Sequence, residues 1–183
     1  AMTFANKVTL SRIVSIPFFI AAIIFYAPER AYLKGVALAI FFLAIVSDVI
    51  DGYIARTHRQ KTRAGAILDP LADKAFLLTA FIFIYVANHA YFRVALPLWV
   101  LLTVVSRDAI ILIGSAILLI THKDMVIKPT RWGKLTTFFQ MATIAALILE
   151  IGWTPVIWWL AAAFTVISGI DYIRKGINLL NQE

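Results

Sequence analysis

The chain has 183 residues, 62% of them hydrophobic and 15% charged, with a formal net charge of +7 and no cysteine. Its mean hydropathy of +0.88 is too high for an ordinary water-soluble domain. The absence of thiols excludes a disulfide framework and any cysteine-based metal site.

A membrane crossing takes about 20 apolar residues, and six stretches qualify, at 8–27, 33–55, 67–88, 94–121, 134–151 and 153–173. The pattern predicts an all-α, polytopic integral membrane protein with six transmembrane helices. Ala1 ahead of Met2 reads as a cloning remnant, and residues 2–183 as a single six-helix domain. Arg12 lies inside the first stretch, so no cleavable leader is expected there.

The cations fall unevenly. Lys7 and Arg12 flank the N-terminus. Arg56, Arg59, Lys61 and Arg63 join the second and third stretches, and Lys123, Lys128, Arg131 and Lys134 join the fourth and fifth. Arg174 and Lys175 follow the sixth, whereas the opposite loops hold only Arg30, Lys34 and Arg93. The positive-inside rule then predicts both termini in the cytoplasm. Charges confined to short inter-helix loops suit anionic lipid headgroups, not nucleic acid.

Between the second and third stretches the sequence becomes acidic. Asp48, Asp51, Asp69 and Asp73 lie within or beside apolar helices, where an unpaired carboxylate costs at least ~2.5–3.5 kcal/mol. Asp48 and Asp51 are three apart and continue into Gly52 and Ala55 as one helical stripe; Gly65, Asp69 and Asp73, spaced by four, form another. The connection between the two stretches is short, so their acidic faces are expected to converge near the cytoplasmic boundary. Carboxylate oxygens suit Mg²⁺ or Mn²⁺, which leave coordination positions for substrate phosphates. A simpler reading makes Asp69 a helix N-cap followed by Pro70 at the first helical position. Arg107 and Asp108, inside the fourth stretch, form a second candidate site, with a structural pair as the alternative.

The run Asp48-x-x-Asp51-Gly52-x-x-Ala55-Arg56, eight further residues, then Gly65-x-x-x-Asp69-x-x-x-Asp73 resembles the signature of the CDP-alcohol phosphotransferase family at every motif position. The segment Asn6 to Arg12 resembles the family's N-terminal segment, with Ala5 where many members have proline. The resemblance implies transfer of a substituted phosphate from a CDP-linked donor to an alcohol, with release of CMP. It also implies six spans, a homodimer and an integral membrane enzyme of the bacterial inner membrane or its equivalent, with its site at the cytoplasmic face. Asp48, Asp51, Asp69 and Asp73 would hold two divalent ions, Mg²⁺ or Mn²⁺, and Asp73 would be the general base. Asn6, Gly52, Ala55, Arg56 and Gly65 would bind the CDP moiety. CDP-diacylglycerol is the donor such a placement suits.

The acceptor is assigned to the basic residues Arg107, Arg131, Lys134 and Arg174 together with Thr130, a set that fits an anionic alcohol. The segment Trp132 to Gln140 resembles the phosphatidylglycerophosphate synthases, which use glycerol 3-phosphate. Ser106-Arg107-Asp108 and Lys128-Pro129-Thr130 resemble the eukaryotic-type cardiolipin synthases, whose acceptor is phosphatidylglycerol. Asp108 stands where phosphatidylglycerophosphate synthases typically carry Glu, and Leu112-Ile113-Gly114-Ser115 where they carry a second Arg. Glycerol 3-phosphate is the first expectation and phosphatidylglycerol the alternative. From a different class, a small metal-ion transporter would also use clustered carboxylates. Transporters often repeat such a motif, and no second copy occurs. Asp171 near the end of the sixth stretch is a further candidate for the acceptor cavity.

Overall fold

In a computed structural model the described residues are 4–58, 63–87, 92–121 and 130–180. They form six α-helices and, among themselves, no strand: α1 (Phe4–Ile24), α2 (Tyr32–His58), α3 (Arg63–Ala87), α4 (Leu98–Thr121), α5 (Arg131–Ile148) and α6 (Thr154–Leu180). Lengths of 18 to 27 residues correspond to about 27–40 Å at 1.5 Å per residue. Among the described residues, Thr154–Asn178 is the stretch both long and apolar enough to cross a membrane.

The helix ends depart from the apolar stretches where backbone chemistry overrides hydrophobicity. The first helix stops at Ile24, short of the expected 27, because Ala27 precedes Pro28 and is extended (φ −148°, ψ 161°). The fourth begins at Leu98 instead of 94, where the carbonyl of Pro97 accepts from the N–H groups of Val100 and Leu101. The third begins at Arg63, so Asp69 lies well inside α3 and Pro70 within the helix. The N-cap reading of Asp69 therefore fails.

The chain divides into two compact units, Ala1–Ala95 and Leu96–Glu183. In the first, α1 packs against both α2 and α3. Its centre is an aromatic knot contributed by one residue from each helix: Phe19 to Phe41 at 6.4 Å between ring centroids, Phe19 to Phe76 at 5.5 Å and Phe41 to Phe76 at 6.1 Å. Ala37, Ala80, Phe81 and Ile84 are fully buried around it.

In the second unit α6 packs against α4 and α5. The α5–α6 seam is stitched by buried polar groups. Thr136 Oγ1 donates to the Phe164 carbonyl at 2.8 Å, and Gln140 Nε2 to Thr165 Oγ1 at 3.3 Å. Small hydroxyl residues let helices approach closely and supply the cross-helix bonds that an apolar solvent cannot replace. The seam closes through a tight turn in which Glu150 adopts φ 55°, its N–H bonding the Leu147 carbonyl while that of Ile151 bonds Ala146. These two bonds are the Schellman pattern that satisfies the last carbonyls of α5.

Candidate active site

The signature lies on two helices. Asp48, Asp51, Gly52, Ala55 and Arg56 belong to the C-terminal half of α2, and Gly65, Asp69 and Asp73 to the first half of α3. The side chains of 48–58 and 63–73 lie outside the described residues, as does that of Asn6 on α1, so their placement is a matter of helix position.

That position is well determined along the helix axes. From Phe41 to the end of α2 is about 25 Å, and from the start of α3 to Phe76 about 20 Å. Four residues join the two helices, and they reach at most about 18 Å. The Phe41–Phe76 contact is therefore possible only if α2 and α3 run antiparallel. Counting outward from that contact, Asp48 is seven residues beyond Phe41 and Asp69 seven before Phe76, so the two share one level. Gly52 and Gly65, each eleven residues away, share the next. Asp73 is nearest the aromatic knot and Asp51 farther out, a spread of about 10 Å along the helices. Asn6 on α1 and Ala55 on α2 lie thirteen and fourteen residues from the Phe19–Phe41 contact, one level beyond the glycines.

Four aspartates at neighbouring levels of two antiparallel helices offer oxygen donors only. Oxygen donors are the chemistry that hard divalent cations take. Gly52 and Gly65 bring no Cβ of their own to that level, which suits close approach of a bulky group to the backbone.

A second constellation occupies the other unit. Arg107 on α4 is 7% exposed and Asp108 is fully buried. Arg107 Nη1 meets Asp108 Oδ1 at 2.6 Å, and its Nη2 donates to Ser168 Oγ on α6 at 2.7 Å. Thr130 caps α5, its Oγ1 accepting from the Gly133 N–H at 3.1 Å. A Cβ on Gly133 would lie 3.5 Å from Arg107 Nη2, 3.6 Å from Thr130 Oγ1 and 3.8 Å from Ser168 Oγ. Arg107, Thr130, Gly133 and Ser168 are thus brought together at the α5 N-terminus.

The first turn of α5 carries Arg131 and Lys134, both exposed, and no acidic residue. Cations at a helix N-terminus oppose the macrodipole, an arrangement that favours a bound anion. Arg174 is exposed on α6. Asp171, read as a cavity residue, makes an i,i+4 ion pair with Lys175 at 3.0 Å. Lys128 and Pro129 lie outside the described residues. In the stretch Leu112-Ile113-Gly114-Ser115 of α4, which stands in place of a second arginine, a Cβ on Gly114 would meet the Tyr172 ring at 2.9 Å. Tyr172 fills that space, its hydroxyl donating to the Ile111 carbonyl at 3.3 Å. Ser168 escaped the sequence reading; the available signal was a Ser-Gly pair interrupting the apolar run of α6.

A family model described as CDP-alcohol phosphatidyltransferase matches residues 2–167. The chain belongs to that family. The match includes the full acidic signature and the α4 and α5 cations, and stops short of Ser168 and Arg174. This phosphatidyltransferase is 33% identical over 184 residues to the CDP-diacylglycerol--glycerol-3-phosphate 3-phosphatidyltransferase of Escherichia coli (strain K12), covering 95% of each chain. It is 31% identical over an alignment of 191 to the protein of that name from Bacillus subtilis (strain 168), covering 93% of each. A probable phosphatidylglycerophosphate synthase of Mycobacterium tuberculosis (strain ATCC 25618 / H37Rv) is 31% identical over 179 residues, with 94% of this chain and 81% of the relative covered.

Proposed function

We propose that this phosphatidyltransferase moves the phosphatidyl group of CDP-diacylglycerol to glycerol 3-phosphate and releases CMP. The observation that carries the reading is the complete acidic signature on two antiparallel helices, with Asp48 level with Asp69 and Gly52 with Gly65. The names of the relatives support the donor and acceptor. Residues 2–183 act as one domain, a reading supported by a family match that runs through both units.

Asp48, Asp51, Asp69 and Asp73 would hold two divalent ions, Mg²⁺ or Mn²⁺. When bound, such ions neutralise charge on the oxygens of the donor diphosphate. Asn6, Gly52, Ala55, Arg56 and Gly65 receive the CDP moiety in the layers beyond. Asp73 accepts the proton of the acceptor hydroxyl as its oxygen bonds the phosphatidyl phosphorus. The bond from that phosphorus to the CMP oxygen breaks, and the proton later passes from Asp73 to water. A carboxylate is a weak base near neutral pH, so positioning and electrostatics supply most of the barrier reduction. Arg107, Thr130, Arg131, Lys134 and Arg174 bind the acceptor phosphate.

The chain spans the membrane six times with both termini and the site at the cytoplasmic face, and it pairs as a homodimer. Six helices of 18 residues or more support the span count, and the loop cations support the orientation. The test is CMP release by purified protein with CDP-diacylglycerol and Mg²⁺ or Mn²⁺, with the product lipid identified. Turnover with glycerol 3-phosphate is expected; turnover with phosphatidylglycerol alone would refute the acceptor assignment.

A further inference from the structure

Arg12 has no role in the site described above. It lies in the middle of α1, within an apolar helix, and is 5% exposed. A guanidinium buried to that degree needs anionic or polar company. The aromatic knot indicates which layer it occupies. Arg12 is seven residues before Phe19, as Asp69 is seven before Phe76, and Asp48 is seven beyond Phe41. The direction of α1 is set by the same reasoning, because a short turn joins it to α2 and Phe19 meets Phe41 across it. A groove lined by Phe18 and Ala22 of α1, by Phe25 just after it and by Leu33, Val36 and Ile40 of α2 repeats that antiparallel register. Arg12, Asp48 and Asp69 therefore stand about 10 Å from the knot on the same side, at one level of the three helices that meet there.

We infer that Arg12 is the resident counter-cation of the carboxylate layer, a positioning residue that balances Asp48 and Asp69 when no metal is bound. The inference rests on the proposed metal site. Four carboxylates close together repel one another, and a fixed cation at their level offsets part of that repulsion. The same cation repels an incoming divalent ion, so Arg12 also sets how tightly the site holds metal. Removing its charge destabilises the metal-free protein and strengthens the stabilisation that metal provides.

The experiment is thermal melting of the purified full chain in detergent, titrated with Mn²⁺ and without substrate. Wild type is compared with Arg12→Lys, Arg12→Met and Arg12→Met/Asp48→Asn. Arg12→Met is expected to melt lower without metal and to gain more from Mn²⁺, with a half-saturating concentration about tenfold lower. Arg12→Lys keeps the charge and the wild-type midpoint. Arg12→Met/Asp48→Asn removes one acid with the cation and recovers melting temperature in the absence of metal relative to Arg12→Met. That recovery remains readable if Arg12→Met alone is too unstable to purify. An unchanged Mn²⁺ response in Arg12→Met, or a double variant no more stable than the single one, would overturn the inference and leave Arg12 a helix tie. A wild-type chain whose melting ignores Mn²⁺ would instead overturn the metal site and the inference with it.

Discussion

Ser168→Ala is the most selective perturbation of the proposed acceptor site. Ser168 is buried, and its hydroxyl takes the hydrogen bond from Arg107 Nη2 at 2.7 Å. The substitution removes one oxygen from a small side chain and leaves the 2.6 Å Arg107–Asp108 pair in place. A hydrogen bond to a charged group contributes about 1.5–3 kcal/mol. If all of that loss fell on acceptor binding, the KM for glycerol 3-phosphate would rise by roughly 10- to 150-fold, each 1.4 kcal/mol being a factor of ten. Part of the loss falls on folding, because an incompletely bonded guanidinium remains buried in both free and bound protein. The expected result is therefore a three- to thirtyfold rise in the glycerol 3-phosphate KM, about 1 kcal/mol lower stability and an unchanged CDP-diacylglycerol KM. Steady-state kinetics varying each substrate in turn, paired with denaturant titration in mixed micelles, measures all three. A loss of stability with no change in the glycerol 3-phosphate KM would instead make Arg107 a structural tie between α4 and α6.

Asp73→Asn is expected to lower kcat by about 10²–10⁴ while Mn²⁺-dependent binding of CDP-diacylglycerol persists, measured as protection against thermal unfolding; retained turnover would remove Asp73 as the base. Gly114→Ala places a methyl 2.9 Å from the Tyr172 ring, and overpacking of this kind costs about 1–3 kcal/mol, seen as a lower melting temperature; Gly114→Ala/Tyr172→Leu should recover part of it. Glu150→Gly relieves a φ of 55° that costs an L-residue about 1–2 kcal/mol, so the α5–α6 turn should become more stable by about 1 kcal/mol with turnover unchanged. Chelation with EDTA is expected to abolish CMP release and lower the melting temperature together, and either effect alone would contradict a site in which metal binding and carboxylate stability are linked.

The acidic signature was legible because its chemistry is written in spacing. Three- and four-residue intervals fix a helical stripe wherever the helix begins, so Asp48 to Ala55 and Gly65 to Asp73 survived errors in the helix ends. Those ends were less legible. Hydropathy does not report that Ala27 must be extended before Pro28, or that α3 already begins at Arg63, ahead of its apolar stretch. The second error mattered for function, because it left open a capping role for Asp69 that a residue well inside α3 does not have. The level shared by Asp48 and Asp69 was out of reach of sequence, since it depends on which phenylalanines of three helices meet. Ser168 was hidden for a different reason: a single hydroxyl in an apolar helix has many uses, and only the 2.7 Å contact to Arg107 selects one.

Within the proposed acceptor site, the α5 N-terminus bears most directly on the choice of acceptor. Thr130 already satisfies the Gly133 N–H, yet Arg131 and Lys134 add positive charge at the positive end of the helix, beside a buried guanidinium. Each misplaced charge of this kind costs about 0.3–1 kcal/mol in the free protein, and that cost is recovered only when an anion binds. The recovery is larger for a doubly charged phosphate monoester than for a singly charged diester, and larger still for one whose three terminal oxygens are all available as acceptors. Glycerol 3-phosphate presents the monoester. Phosphatidylglycerol presents a diester with two free oxygens and one charge. The electrostatics of α5 thus favour glycerol 3-phosphate, even though Asp108 and Gly114 differ from what its synthases typically carry. Neutralising Lys134 should accordingly penalise glycerol 3-phosphate more than any phosphodiester acceptor, which competition between the two in one vesicle assay would reveal.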